Sequence, residues 1–247
     1  MDLGLKGKAV LVTGGSKGIG FACARAFAAE GCRVHIASRD KETLEGAAKA
    51  IGGNIKIHPA DLRDGRALRS LAAACADVDI LVNNAGDIPG GTIEVIDEAR
   101  WRHAWELKVF GYVNLTRELF ARMKARRSGV IVNVIGMAAE HPSFEYVCGS
   151  MANAGLGAFT KAMGKGSPAF GVRVLGVHPP ATRTDRIIPL MKAAAKEKLG
   201  DENRWEELIG TSSFGQMIEP QQVGDTVAFL ASVRAGKLSG VMVNLGA

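Results

Sequence analysis

Short apolar runs alternate along the chain with longer stretches of helical period. "KAVLVT" (Lys8 to Thr13) reads as a buried strand, and a helix follows in which Ile19, Cys23 and Phe27 recur at i+4 spacing until Gly31 ends it. Strand "RVHIAS", a helix from about Lys41 and strand "NIKIH" form the next unit. A helix near Gly65 to Ala76, strand "DILVNN" and a long helix from about Glu98 to Arg126 come next. Strand "GVIVNVI", a helix through "GSMANAGLGAFTKAMG" and strand "VRVLGVH" follow. A Pro- and charge-rich excursion runs from Pro179 to about Gly215, before a helix at "PQQVGDTVAFLAS" and a last strand at "GVMVNL". Seven strands with helical crossovers predict an α/β fold with a doubly wound, seven-stranded parallel sheet flanked by helices. No low-complexity linker, repeat or second core divides the chain, so residues 1–247 are expected to form a single domain.

Composition agrees with that pattern. Of the 247 residues 47% are apolar but only 6% aromatic, which suits a core of Val, Ile, Leu and Ala between sheet and helices. No apolar run reaches the length of a membrane span. The N-terminus goes straight into strand and turn without the pattern of a signal peptide. Cys23, Cys32, Cys75 and Cys148 show neither metal-ligand spacing nor a disulfide framework, so free thiols and no metal are expected. These features predict a cytoplasmic protein. The net charge of +6 is scattered, and its densest run, "ARMKARRSG", reads as a solvated helix end. No aromatic residues interleave with it to stack bases, so no nucleic-acid partner is expected.

The first turn carries the candidate chemistry. "TGGSKGIG" (Thr13 to Gly20) lies between the first strand and its helix, where a Rossmann-type dinucleotide site belongs. Gly14 permits the tight turn, Gly18 lets backbone amides approach a pyrophosphate, and Gly20 allows close helix packing. Unpaired amides and the positive dipole at the helix N-terminus favour the anion. Ser16 and Ile19 belong to the same cradle. At the end of the second strand, "ASRD" places Ser38 and Arg39 where an NAD site usually carries an acid. Together with Lys17 they suit a 2′-phosphate, because charge-assisted hydrogen bonds contribute about 1.5–3 kcal/mol each. NADP(H) is the expected cofactor, with NAD(H) as the alternative. Asp40 comes one position late and is expected to cap the next helix.

With these residues in place, the chain resembles the short-chain dehydrogenase/reductase family along essentially its whole length. The matching segments are "TGGSKGIG", "ADLRD", "NNAG", "HPPATRTD" and "FLASVRAGKLSGVMVNLGA". The resemblance implies Asp61 and Leu62 at the adenine ring, Asn83, Ala85 and Gly86 along the cofactor, and Pro179 and Thr182 at the nicotinamide carboxamide. Pro180 stands where the family usually has Gly. The resemblance also implies a small-molecule substrate, a substrate lid at about 184–214 and a homodimer or homotetramer. In that lid Ile187, Ile188, Pro189, Leu190 and Met191 are candidates to line an apolar pocket or to pack a small helix.

The same alignment makes the chemistry atypical. Gly136 falls at the family's usual Ser, Gly149 at its Tyr, Asn153 at its Lys, and Lys108 at its Asn. However, Tyr146 precedes Asn153 by seven residues, similar to the Tyr and Lys spacing of the enoyl-acyl-carrier-protein reductases. The resulting hypothesis is a relocated pair. Tyr146 donates or accepts the proton, Lys108 supplies a cation that lowers a tyrosine pKa of about 10, and Asn153 binds the nicotinamide ribose. His141, Glu140, Glu145, Ser143 and Ser150 are minor candidates. Three functions stay open: an oxidoreductase acting on a ketone, alcohol or activated C=C bond, a silent NADP(H)-binding sensor, and a structural subunit of a mixed oligomer.

Overall fold

The computed structural model describes residues 1–208 and 216–246. Seven parallel strands form one sheet in the order β3-β2-β1-β4-β5-β6-β7. They are β1 Ala9–Thr13, β2 Arg33–Ser38, β3 Ile55–Pro59, β4 Ile80–Asn83, β5 Gly129–Val134, β6 Val172–His178 and β7 Met242–Asn244. The predicted strands fall within a few residues of these limits. Their continuous apolar runs follow from burial on both faces, which parallel sheets require.

The helices are α1 Gly18–Ala29, α2 Lys41–Ile51, α3 Gly65–Ala74, α4 Glu98–Trp105, α5 Gly111–Ala125, α6 Val147–Gly166, α7 Ile187–Leu199 and α8 Pro220–Ala231. Local signals explain several of their ends. Asp40 accepts the Thr43 amide at 2.7 Å and caps α2, as expected. Asp64 and Asp97 cap α3 and α4 in the same way. Gln222 Oε1 accepts the Glu219 amide at 2.8 Å at the start of α8, with Pro220 in the first turn.

One expectation needs correction. The long helix predicted from Glu98 to Arg126 is interrupted by a wide π turn over Glu106–Phe110. The extra residue in that turn re-aims the side chains that follow it, a device frequent at functional sites. The excursion after Pro179 contains α7, which takes in residues Ile187 to Met191, and a short 3-10 segment over Glu202–Leu208. Of the predicted lid, residues 209–214 lie outside the described residues, as do the side chains of Leu190, Ala193, Ala194 and Glu197.

Alternate residues of each strand face two cores. Val10, Val12, Val34, Ile36, Val132 and Leu175 pack with Phe27 of α1, Leu44 of α2 and Val223 and Val227 of α8. Leu11, Leu81, Ile131 and Val174 pack with Leu68 and Leu71 of α3 and Leu115 and Leu119 of α5. Burial of each such Leu, Ile or Phe contributes about 1.5–3 kcal/mol. Strand order reverses between β1 and β4, which opens a crevice at the C-terminal strand ends.

Candidate active site

A cleft of about 480 Å³ occupies that crevice. Gly14, Ser16, Lys17, Gly18 and Ile19 line its floor. Gly14 and Gly18 have φ of 65° and 54°, so both positions need glycine. A Cβ on Gly20 would lie 2.2 Å from the Gly14 carbonyl oxygen, which explains the third glycine although Gly20 does not line the cleft. Lys17 stands at the N-cap of α1 without a side-chain cap, so the amides of the first turn stay open to an anion.

The second strand ends on the same cleft, lined by Ser38 and Arg39. Ser38 Oγ is buried and has no hydrogen-bond partner. Neither Lys17 nor Arg39 joins an ion pair among the described residues. An orphaned hydroxyl beside two uncommitted cations fits a phosphate monoester on a ribose.

Ala60, Leu62, Asn84, Ala85, Gly86 and Pro179 complete the cofactor side. Three residues expected here serve other ends. Asp61 does not line the cleft. Its carboxylate accepts the Arg63 amide at 3.0 Å and pairs with the Arg63 guanidinium at 3.4 Å. Asn83 is buried, donating to Thr116 Oγ1 at 3.1 Å and to Asn133 Oδ1 at 2.9 Å. Asn133 in turn donates to Thr160 Oγ1 at 2.8 Å, so this chain of side chains joins β4, β5, α5 and α6 beneath the site. Thr182 is buried and donates to the Pro180 carbonyl at 3.0 Å. Asn84, not Asn83, faces the cleft, and its amide group donates to the Thr13 carbonyl at 3.0 Å. Thr13 Oγ1 also accepts the Asn84 and Ala85 amides, fastening the β1 turn to the β4 turn.

Tyr146 and Lys108 meet the cleft from the opposite side. Tyr146 precedes the first turn of α6, and its ring lies across Gly149. A Cβ at Gly149 would fall 2.0 Å from ring atoms Cε1 and Cζ and 2.6 Å from the hydroxyl. The tyrosine therefore fills the space into which a residue-149 side chain would project. Desolvation raises its pKa, Arg186 opposes that rise, and Cys148 and Asp87 add to it. The phenol is thus protonated at neutral pH.

Lys108 sits in the π turn with its stem against Gly86, and its ammonium donates to the Ile135 carbonyl at 2.6 Å. Burial first, and then the Arg186 charge, lower its pKa from 10.5 to about 7. The cation bearing on Tyr146 is Arg186, a residue sequence reasoning missed. Arg186, just before α7, reaches back to donate to the Gly86 carbonyl at 2.9 Å and the Ile88 carbonyl at 2.8 Å, and it pairs with Asp87 at 3.5 Å. With Thr184 and Asp185 it lines the cleft, whereas Ile187, Ile188, Pro189 and Met191 do not.

Asn153 does not reach the cleft. It is buried behind Gly136, whose Cβ would meet its Nδ2 at 3.1 Å, and its Oδ1 has no partner. Gly136 has φ of 134°, a backbone that side chains rarely adopt. His141, Glu145, Ser143 and Ser150 do not line the cleft; Ser150 Oγ on α6 accepts the Ser143 amide, and Ser143 Oγ accepts the Glu145 amide. Glu140 lies 3.6 Å from the buried imidazole of His178.

Comparison with known proteins agrees with this geometry. A family model described as short chain dehydrogenase matches residues 8–195. The 2,3-dihydro-2,3-dihydroxybenzoate dehydrogenase of Bacillus subtilis is 30% identical over 96% of this chain and 93% of its own. L-sorbose reductase from Gluconobacter frateurii, solved with NADPH and L-sorbose, superposes with a TM-score of 0.92 at 27% identity, covering 99% of this chain and 97% of its own. The 3-ketoacyl-(acyl-carrier-protein) reductase of Brucella melitensis, solved with NADH, gives a TM-score of 0.86 at 25% identity over 98% and 97%. Fold, phosphate turn and relatives agree: the chain belongs to the short-chain dehydrogenase/reductase family of oxidoreductases.

Proposed function

We propose that the protein reduces a carbonyl group on a small molecule with NADPH, using Tyr146 as proton donor. The observation that carries this reading is the Tyr146 ring folded over Gly149 in the cleft that the phosphate turn also lines. When bound, the dinucleotide supplies the hydride. Ser38, Arg39 and Lys17 hold its 2′-phosphate, and the open amides of α1 hold the pyrophosphate. NADPH and NADH in the related structures support the cofactor class, and the cations at the second strand end favour the phosphorylated form.

Tyr146 hydrogen-bonds the carbonyl oxygen and gives it a proton as the carbon is reduced. Its raised pKa suits this direction better than alcohol oxidation, which needs the phenolate. Lys108, with a pKa near 7, can return a proton to the phenolate, while Arg186 stabilises the negative charge. The pairing of Gly136, Gly149, Asn153 and Lys108 with the usual Ser, Tyr, Lys and Asn positions is part of this reading. So is the likeness of the Tyr146 spacing to the enoyl-acyl-carrier-protein reductases.

Turnover of NADPH with a panel of ketones and enoyl thioesters tests the proposal. Tyr146→Phe is expected to cut kcat by about 10²–10⁴-fold with NADPH affinity intact. Lys108→Met is expected to cut it less and to change its pH profile. Gly149→Ala, which forces the ring out of the cleft, is expected to act like Tyr146→Phe. Wild-type activity in Tyr146→Phe would sink the mechanism. The withdrawal of Asn153 from the cleft favours a second reading, a dinucleotide-binding sensor without turnover. Tight NADPH binding with no turnover on any substrate selects it.

A homodimer or homotetramer belongs to the same proposal. It is supported by an apolar groove where Phe110, Met151 and Ile93 are exposed beside Trp101 and Trp105.

A further inference from the structure

On the α3 face of the sheet, among residues that do not line the cleft, two imidazoles and a thiol converge. His35 on β2 and His58 on β3 interrupt apolar runs, and Cys75 closes α3 above them. His35 Nδ1 lies 2.9 Å from His58 Nε2, and Cys75 Sγ lies 3.4 Å and 3.7 Å from these two nitrogens. The two rings lie end to end in nearly one plane, since centroids 5.1 Å apart and planes 7° apart leave the facing nitrogens aimed at one another. No other trio of His, Cys, Asp or Glu among the described residues brings its ligand atoms within 4.8 Å of one another.

We propose that His35, His58 and Cys75 bind one divalent ion of borderline softness, Zn²⁺ above all, with water in the fourth position. Ligands about 2.05 Å (N) and 2.3 Å (S) from a tetrahedral ion stand about 3.3–3.6 Å apart. The three observed separations bracket that range, so the ion enters once the two rings, whose facing nitrogens now point at each other, turn by about 35° each to aim them at it. Two imidazoles and one thiolate suit zinc better than magnesium or calcium, which take oxygen shells.

Protonation favours the site on the nitrogen side. Burial lowers the pKa of His35 to about 4 and lowers that of His58, so both rings are neutral at pH 7. Cys75 opposes it, since burial raises the thiol to about 12. The ion must therefore displace the thiol proton, and each Zn²⁺ bound releases one H⁺ to solvent. A second proton only changes places, moving to the other nitrogen of whichever imidazole held it in the empty trio. Asp77 lies near enough to act on both His35 and Cys75 and favours a cation, while Lys56 and Arg33 oppose it. His58 is half-buried and gives the ion its approach, whereas His35 and Cys75 are enclosed.

Untagged protein stripped by a chelator and titrated with Co²⁺ gives the first test. One equivalent should produce a thiolate-to-cobalt charge-transfer band and the strong visible bands of a four-coordinate ion. Zn²⁺ should then displace it one for one, release one proton per ion taken up by stripped protein, and raise the melting midpoint by several degrees. Cys75→Ser should abolish the charge-transfer band, while Cys32→Ser keeps it. If Cys75→Ser does not fold, His58→Gln should weaken Zn²⁺ binding at least tenfold. A wild-type spectrum without a sulfur band, or equal affinity in His58→Gln, overturns the site and leaves a hydrogen-bonded trio in the core.

Discussion

Arg39 and Lys108 illustrate how one charge acts in this cleft. Arg39 is free of ion pairs among the described residues and stands beside the orphaned Ser38 hydroxyl. Replacing it with Ala should lower affinity for NADPH about 10–150-fold and leave NADH binding nearly unchanged, as fluorescence titration would show. Lys108 acts through pH. Its pKa is about 7 in the folded chain against 10.5 ordinarily, so between those values the unfolded chain holds the extra proton. Stability should therefore rise with pH across that window, and Lys108→Met should flatten the rise. Chemical denaturation at pH 7 and pH 9.5 measures it.

Elements set these residues in place by means that sequence pattern reveals unevenly. The strands were legible because burial on both faces forces unbroken apolar runs, and the Asp40 cap because its chemistry is local. The π turn was not legible. Its residues continue a helical pattern, and the widening shows only in how Lys108 comes to face Ile135. Arg186 was missed for a different reason. Its partners are the carbonyls of Gly86 and Ile88, about a hundred residues earlier, and backbone acceptors leave no mark on a sequence. Arg186→Met should loosen the start of α7 from that loop. KM for NADPH should then rise several-fold, with little change in melting temperature because the side chain is half-exposed.

At the scale of the molecule, parallel topology brings together residues that the chain keeps apart. Tyr146 and Lys108 are candidates from their register and do share a cleft, but the charge closest in effect to Tyr146 is that of Arg186, just before α7. Asn83, Asp61, Thr182 and Asn153 carry the right chemistry at the expected positions, yet their side chains turn into the core or into their own turns. His35, His58 and Cys75 have no recognisable spacing because two adjacent strands and the end of α3, rather than a short loop, bring them together. The exposed groove at Phe110 extends the same logic beyond one chain. Phe110→Asp should shift the protein toward monomer in light scattering while leaving its fold intact.

The ring resting on Gly149 also constrains ancestry. A side chain at position 149 and an aromatic at 146 exclude each other, since the two compete for one volume. Once glycine and the aromatic were both in place, reversion at either position alone was closed off: a methyl at 149 evicts the phenol, and removing the phenol leaves a hole. Lineages carrying this tyrosine should therefore pair it with glycine three residues on, and those that retain a bulkier residue there should have something small at 146.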